Sequence, residues 1–150
     1  MMKMTMIRDI TPDDRARFLE MAQGFYSSSA VDHAIESRLL EATFDQALEK
    51  SPYVRVLMLE DDGRIVGFGI LALTHATEVG GLTVLLEDLY IDGSCRGKGL
   101  GSKFMRFVEE EYPSAKRFRL EVATANKGAI ELYRRLGYKT LSYVQMVKDV

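Results

Sequence analysis

A glycine-rich segment separates an apolar stretch from an amphipathic one. Residues 84–91 are apolar apart from two adjacent carboxylates, and residues 92–102 contain four glycines. Helix-forming periodicity follows at Leu100, Phe104, Phe107 and Val108. The pattern predicts a β-strand, a loop and the N-terminus of a helix. The first N–H groups of a helix lack intrahelical partners and glycines let a ligand approach the backbone, so this order predicts an anion-binding site.

Two common phosphate-binding loops do not fit this segment. A Walker A loop has four residues between its first glycine and a Gly-Lys pair, followed by Ser or Thr. Here three residues separate Gly93 from Gly97, and Lys98 is followed by Gly99. A dinucleotide-binding fingerprint would need a glycine at the position of Ser102. Both alternatives therefore fail on spacing.

Patterning along the rest of the chain alternates between strand and helix signals. We expect a strand at Met4–Ile10, a helix ending near Phe25, one or two helices ending before Pro52, and then an antiparallel meander. The predicted strands of the meander are Tyr53–Glu60, Arg64–Thr74 and a third running from Gly81 through Ile91, and the later elements are a strand at Phe118–Val122, a helix at Lys127–Leu136 and a last strand at Tyr138–Val147.

Composition indicates an ordinary globular chain. The 150 residues are 47 % hydrophobic with a formal net charge of −2, so we expect one domain spanning residues 1–150 and no nucleic-acid partner. The single cysteine cannot form an intrachain disulfide, and no Cys/His spacing suggests a metal site. No apolar run approaches the roughly 20 residues that span a bilayer, so we expect a cytoplasmic protein without a membrane partner.

A second motif lies about 25 residues after the glycine-rich loop. Asn126 is a suitable helix N-cap, Gly137 is a suitable helix end, and Ala129 and Tyr133 lie one turn apart on the same helix face. By itself this pattern is more typical of a capped helix with a core tyrosine than of a catalytic site.

The two motifs together resemble the GNAT superfamily of N-acetyltransferases. Arg96-x-x-Gly99-x-Gly101 after Leu89-Tyr90-Ile91 is similar to motif A of that superfamily, and the segment from Asn126 to Tyr138 is similar to motif B, with Tyr138 where phenylalanine is typical. The resemblance implies that acetyl-CoA is the cosubstrate. It also implies that coenzyme A contacts Leu89, Tyr90, Ile91, Arg96, Gly97, Lys98, Gly99, Leu100, Gly101, Ser102, Asn126, Ala129 and Tyr133.

The same resemblance implies a fold and a general acid. The fold would be an α/β sandwich with a mixed, mainly antiparallel sheet of six or seven strands and helices on both faces. Loop amides would hold the pyrophosphate, and backbone groups of residues 89–91 would pair with the pantetheine arm. Tyr133 would protonate the departing thiolate, since a phenol of pKa about 10 stays protonated at neutral pH.

A base is also needed, because an alkylammonium group has no lone pair. Glu87 and Asp88 interrupt the apolar strand, and side chains alternate along a regular strand, so they point to opposite faces unless a bulge intervenes. Members of the superfamily commonly have a bulge here. We predict Glu87 as the base, directly or through a water, and Asp88 as the second candidate. A structural ion pair is the alternative for each.

The acceptor is less constrained by the sequence. Leu86-Glu87-Asp88-Leu89 resembles the corresponding strand of diamine and polyamine acetyltransferases, which favours a small cationic amine that attacks the thioester directly in a ternary complex. The alternatives are a non-catalytic acyl-CoA sensor and an acetyltransferase of protein lysines or N-termini. Cys95, His33 and His75 are expected to have structural or surface roles, and a homodimer is left open.

Overall fold

The computed structural model describes residues 4–28 and 35–150. Short 3₁₀ turns lie at Pro12–Asp14 and Gly93–Cys95. None of the helices in these two ranges is long and apolar enough to cross a membrane. In chain order the elements are β1 (Thr5–Asp9), α1 (Arg15–Tyr26), α2 (Ser37–Leu48), β2 (Val54–Asp61), β3 (Arg64–Ala76), β4 (Gly81–Ile91), α3 (Leu100–Glu111), β5 (Arg117–Leu120) and α4 (Lys127–Arg135).

The strands form one mixed sheet in the order β1-β2-β3-β4-β5. Neighbours among the first four strands are antiparallel, and β5 runs parallel to β4. The predicted meander is therefore confirmed. Its first turn has positive φ at both Asp62 (54°) and Gly63 (80°), the backbone of a tight two-residue hairpin turn.

The expectation of six or seven strands is wrong for the described residues, which form five. Tyr138–Val147, predicted as the last strand, joins no ladder, and Val144, Met146 and Val147 are 87 %, 89 % and 90 % exposed. A strand needs the edge of another strand for its backbone hydrogen bonds and a surface on which its side chains can pack. This segment is instead attached through side chains, because the Tyr138 ring contacts the Tyr133 ring and the Tyr143 hydroxyl donates to Glu78 at 2.7 Å.

Two apolar clusters lie on opposite faces of the sheet. Phe18 of α1 and Phe44 of α2 pack with Phe68 of β3 in one cluster. Phe104 of α3 packs in the other, which also contains alternate residues of β2 such as Leu57 and Leu59. Helices cover both faces of the sheet, as predicted.

Candidate active site

β4 and β5 separate partway along their length. Their parallel ladder runs from the Thr83–Arg117 pair to the Leu86–Leu120 pair, and β5 ends there. β4 continues to Ile91 and stays paired with β3 on its other side. The result is a wedge-shaped opening beside residues 87–91 of β4.

A β-bulge lies at the point of separation. Ile70 is opposite Asp88 and the next β3 residue, Leu71, is opposite Leu86, so Glu87 is an extra residue without a partner. Such a bulge shifts the alternation of side chains by one position. Leu86 therefore packs in the apolar cluster that contains Phe104 of α3 (the α3 cluster). Asp88 instead faces the same side as Ile70, which belongs to the cluster that contains Phe18 of α1 and Phe44 of α2 (the α1–α2 cluster).

Asp88 is held by the last residue of α1. The Tyr26 hydroxyl donates a hydrogen bond of 2.6 Å to Asp88 Oδ2. Burial raises the pKa of the Asp88 carboxyl, and the hydrogen bond from Tyr26 partly opposes that shift. Burial and the nearby carboxylate likewise raise the pKa of Tyr26, so the phenol keeps its proton and acts as the donor.

Glu87 has no comparable restraint. Its side chain is exposed in the opening, but the surrounding protein partly desolvates its carboxyl. This desolvation, followed by the negative charges of Asp88 and Glu121, raises the pKa of the Glu87 carboxyl. Three carboxylates therefore surround one end of the opening, and a cation there would relieve their mutual repulsion.

The glycine-rich loop leads into a helix N-terminus without a side-chain cap. Gly97 and Gly99 both have φ of +79°, a backbone conformation that residues other than glycine rarely adopt. Gly99 is the N-cap of α3, no side chain caps this end, and the first intrahelical bond runs from Lys103 N to Gly99 O at 3.0 Å. The N–H groups of residues 100–102 are therefore oriented towards an external acceptor.

Arg96 is positioned beside the end of β4. Its Nε donates to the carbonyl of Ile91 at 3.0 Å, and the side chain is otherwise exposed. Lys98 is exposed, whereas Leu100 is buried in the α3 cluster and can offer only its backbone. The loop thus combines backbone donors with a positive charge held near the wedge, which suits a pyrophosphate.

α4 has well-defined ends. Asn126 Oδ1 accepts from Ala129 N at 3.3 Å, which leaves the side-chain amide nitrogen available as a donor. At the other end Gly137 has φ of +97°, Gly137 N donates to Arg134 O, and Tyr138 N donates to Tyr133 O. These two bonds form a Schellman cap and fix the turn that carries Tyr133.

Tyr133 lies partly buried on α4. Its ring meets the ring of Tyr138 edge-on at 5.9 Å, and its hydroxyl forms no hydrogen bond with any described residue. Burial raises the pKa of Tyr133. The phenol is therefore protonated at neutral pH and has a proton to donate.

One cleft of about 1800 Å³ contains most of the predicted site. It is bounded by the end of α1, residues 86–91, residues 117–123 and α4, and both Glu87 and Tyr133 line it. Residues 97–100 of the loop lie outside its lining, as does Ser102. Residues 4–28 and 35–150 contain no group of three side chains that could hold a metal ion.

Two residues of the site, Tyr26 and Glu121, are not predicted from the sequence. Tyr26 lies one residue beyond the predicted end of its helix but is the last residue of α1. Glu121 belongs to the predicted strand Phe118–Val122 but follows β5, which ends at Leu120. Neither has a local signal, because each approaches Glu87 or Asp88 only through the fold. Cys95 is buried and His75 is exposed on β3, while His33 lies outside the described residues.

Comparison with known proteins agrees with this geometry. The model of the acetyltransferase (GNAT) family matches residues 16–138. The chain therefore belongs to the acetyltransferase (GNAT) family, a family of acyltransferases. The family resemblance of the two motifs is confirmed.

Individual relatives share only part of their sequence with this chain. The chain is 36 % identical over 80 residues to the thialysine N-epsilon-acetyltransferase of Sus scrofa, a match covering 52 % of this chain and about half (46 %) of that protein. It is 28 % identical over 143 residues to the spermine/spermidine N(1)-acetyltransferase of Bacillus subtilis strain 168, covering 89 % and 86 %. A predicted acetyltransferase from Clostridium acetobutylicum, solved with acetyl-CoA, has a TM-score of 0.78 at 13 % identity, covering 97 % and 96 %, which establishes the shared fold.

Proposed function

We propose that this chain transfers the acetyl group of acetyl-CoA to a primary amine of a small cationic molecule. The observation that carries the proposal is the wedge between β4 and β5. Glu87 and Tyr133 line the same cleft as Arg96 and Gly101 of the glycine-rich loop. A candidate base, a candidate acid and two residues of the candidate pyrophosphate loop therefore line a single space.

The coenzyme half of the proposal rests on unsatisfied backbone donors. The N–H groups at the start of α3 would bind the pyrophosphate, and residues 89–91, which lack a strand partner on the wedge side, would pair with the pantetheine arm. Asn126 would donate its side-chain amide to the same arm. Acetyl-CoA would supply an activated acetyl thioester.

Proton transfer is assigned to two side chains. Glu87 accepts a proton from the ammonium group, directly or through a water, since an amine of pKa about 10.4 needs roughly 4 to 5 kcal/mol to lose its proton at pH 7. The freed nitrogen attacks the thioester carbon, whose oxygen a backbone N–H of residues 89–91 polarises. Tyr133 gives its proton to the sulfur as the carbon–sulfur bond breaks, the nitrogen loses its second proton to water as it becomes an amide, and water returns a proton to the Tyr133 oxygen.

The charge of the acceptor end favours a small cationic substrate. Glu87, Asp88 and Glu121 all line the cleft, and the negative charges of Asp88 and Glu121 contribute, after burial, to the raised pKa of Glu87. A cation would lower that repulsion, and a second positive charge on the substrate would lower it further. Two of the similar proteins are, by name, acetyltransferases of thialysine and of spermine and spermidine.

A panel of acceptors tests the proposal. Thiol release from acetyl-CoA would be followed with mono-, di- and polyamines, thialysine, a lysine-containing peptide and a peptide with a free N-terminus. We expect kcat/KM to be highest for molecules with two or more ammonium groups. Faster turnover of a peptide would favour a protein acceptor, and tight coenzyme binding without turnover of any amine would favour a sensor.

A further inference from the structure

Three side chains connect α1 to the start of the glycine-rich loop. Arg17 Nη2 donates to Asp92 Oδ2 at 2.7 Å, and the Tyr90 hydroxyl donates to Asp92 Oδ1 at 2.9 Å. The same arginine nitrogen donates to the carbonyl of Ile65 at 3.1 Å. Both oxygens of the Asp92 carboxylate are therefore held, one by a helix and the other by a strand.

Asp92 follows Ile91, the last residue of β4, and is the first residue of the loop. Its backbone N–H donates to Val66 O at 2.8 Å, and its carbonyl accepts from Cys95 N at 2.9 Å. The Tyr90 ring that reaches Asp92 is itself stacked on Phe68, with ring centroids 5.8 Å apart. The direction in which the loop leaves the sheet is thus fixed by contacts on both sides of it.

We propose that Arg17 is a positioning residue for acetyl-CoA. Through Asp92 it orients the loop whose backbone N–H groups meet the pyrophosphate, and this inference rests on the proposed function above. The loop contains four glycines, and glycine loses more conformational freedom on ordering than any other residue. Holding its first residue reduces the ordering that coenzyme binding would otherwise require.

The exposure of the ion pair supports a role in binding more than one in stability. The side chains of Arg17 and Asp92 are 32 % and 25 % exposed, and ion pairs in contact with water contribute little to folding. The same contact controls the geometry of a site that depends on several aligned N–H groups. Its loss should therefore be more visible in coenzyme affinity than in thermal stability.

Direct binding measurements test the inference. The Kd for acetyl-CoA, measured by calorimetry, should rise about tenfold in Arg17→Gln, while kcat at saturating acetyl-CoA stays within about twofold. Arg17→Lys should recover part of the affinity, because an ammonium group can still reach Asp92 without the paired geometry. The matched control is Arg15→Gln, which removes an α1 ion pair with Asp45 of α2, at 2.5 Å, and should leave Kd unchanged.

A second variant covers the case in which Arg17→Gln does not fold. Tyr90→Phe removes one donor from Asp92 and retains the ring packing, and Kd should rise about threefold. Unchanged Kd in the folded variants, with a lower melting temperature alone, would overturn the positioning role and leave the proposed function intact. Failure of the wild-type chain to bind acetyl-CoA would overturn both.

Discussion

Replacing Tyr133 with phenylalanine separates the proposed acid from the rest of the fold. The hydroxyl has no hydrogen-bond partner among the described residues, and the ring keeps its edge-on contact with Tyr138. The substitution therefore leaves no buried donor or acceptor unpaired, and the melting temperature should change little. Any loss of rate can then be attributed to the missing proton.

The expected size of the loss follows from the role of the proton. Without a donor the coenzyme must leave as a thiolate, and general acids typically contribute factors of this order, so kcat should fall by about 10 to 10³-fold. That range corresponds to about 1.4 to 4.1 kcal/mol of transition-state stabilisation. The Kd for acetyl-CoA should be unchanged, because the phenol acts only when the carbon–sulfur bond breaks.

Single-turnover kinetics at saturating substrates, together with calorimetry, measure the two quantities separately. Tyr138→Phe is the matched control: it removes a neighbouring phenol, whose pKa burial raises to about 12, and should leave kcat within about twofold. Burial raises the pKa of Tyr133, so no loss of rate from its ionisation should occur below about pH 10. An unchanged kcat in Tyr133→Phe would refute the assignment.

Three further predictions concern the loop, the base and the fold. Gly99→Val should abolish acetyl-CoA binding, whereas Gly63→Val, at nearly the same φ in the β2–β3 turn, should incur a similar backbone cost of about 1 to 2 kcal/mol and still bind; equal calorimetric Kd values would contradict the role of the loop. Glu87 must be ionised to act as a base and its pKa is raised, so kcat/KM should fall on the acidic side at a pH above the usual carboxylate range. Glu121→Gln removes a repelling charge and should move this fall in the pH profile to lower pH. An unchanged pH profile would count against Glu87 as the base. Asp14 is buried and accepts hydrogen bonds of 2.8 Å from Arg8 Nη1 and from the Thr11 N–H, so Asp14→Asn should lower the free energy of unfolding by about 1 to 3 kcal/mol at pH 7. The hydrogen bond from Arg8 lowers the pKa of Asp14 in the folded state. The difference in denaturant midpoint between wild type and variant should therefore shrink as the pH falls below 3.8, the pKa of Asp14 in the unfolded chain. A difference that does not change with pH would disprove this explanation.

The parts of the structure that the sequence predicts are those with a local physical cause. Positive φ at Gly99 and Gly137 requires glycine, and the Asn126 cap needs only the next three residues. The predicted last strand failed for the converse reason. Residues 138–147 have the composition of a strand, but a strand also needs a partner edge, which no local pattern provides.

The same distinction separates the two halves of the candidate site. The coenzyme half is formed by contiguous stretches, so its motifs could be read directly from residues 89–102 and 126–138. The acceptor half depends on contacts such as the one between Tyr26 and Asp88, which are 62 residues apart, and on a bulge whose effect depends on its register with β3. Under the proposed function, coenzyme binding would therefore depend on contiguous residues and selection of the amine on how α1 meets β4. Substitutions at Tyr26 should then change the choice of acceptor more than the KM for acetyl-CoA.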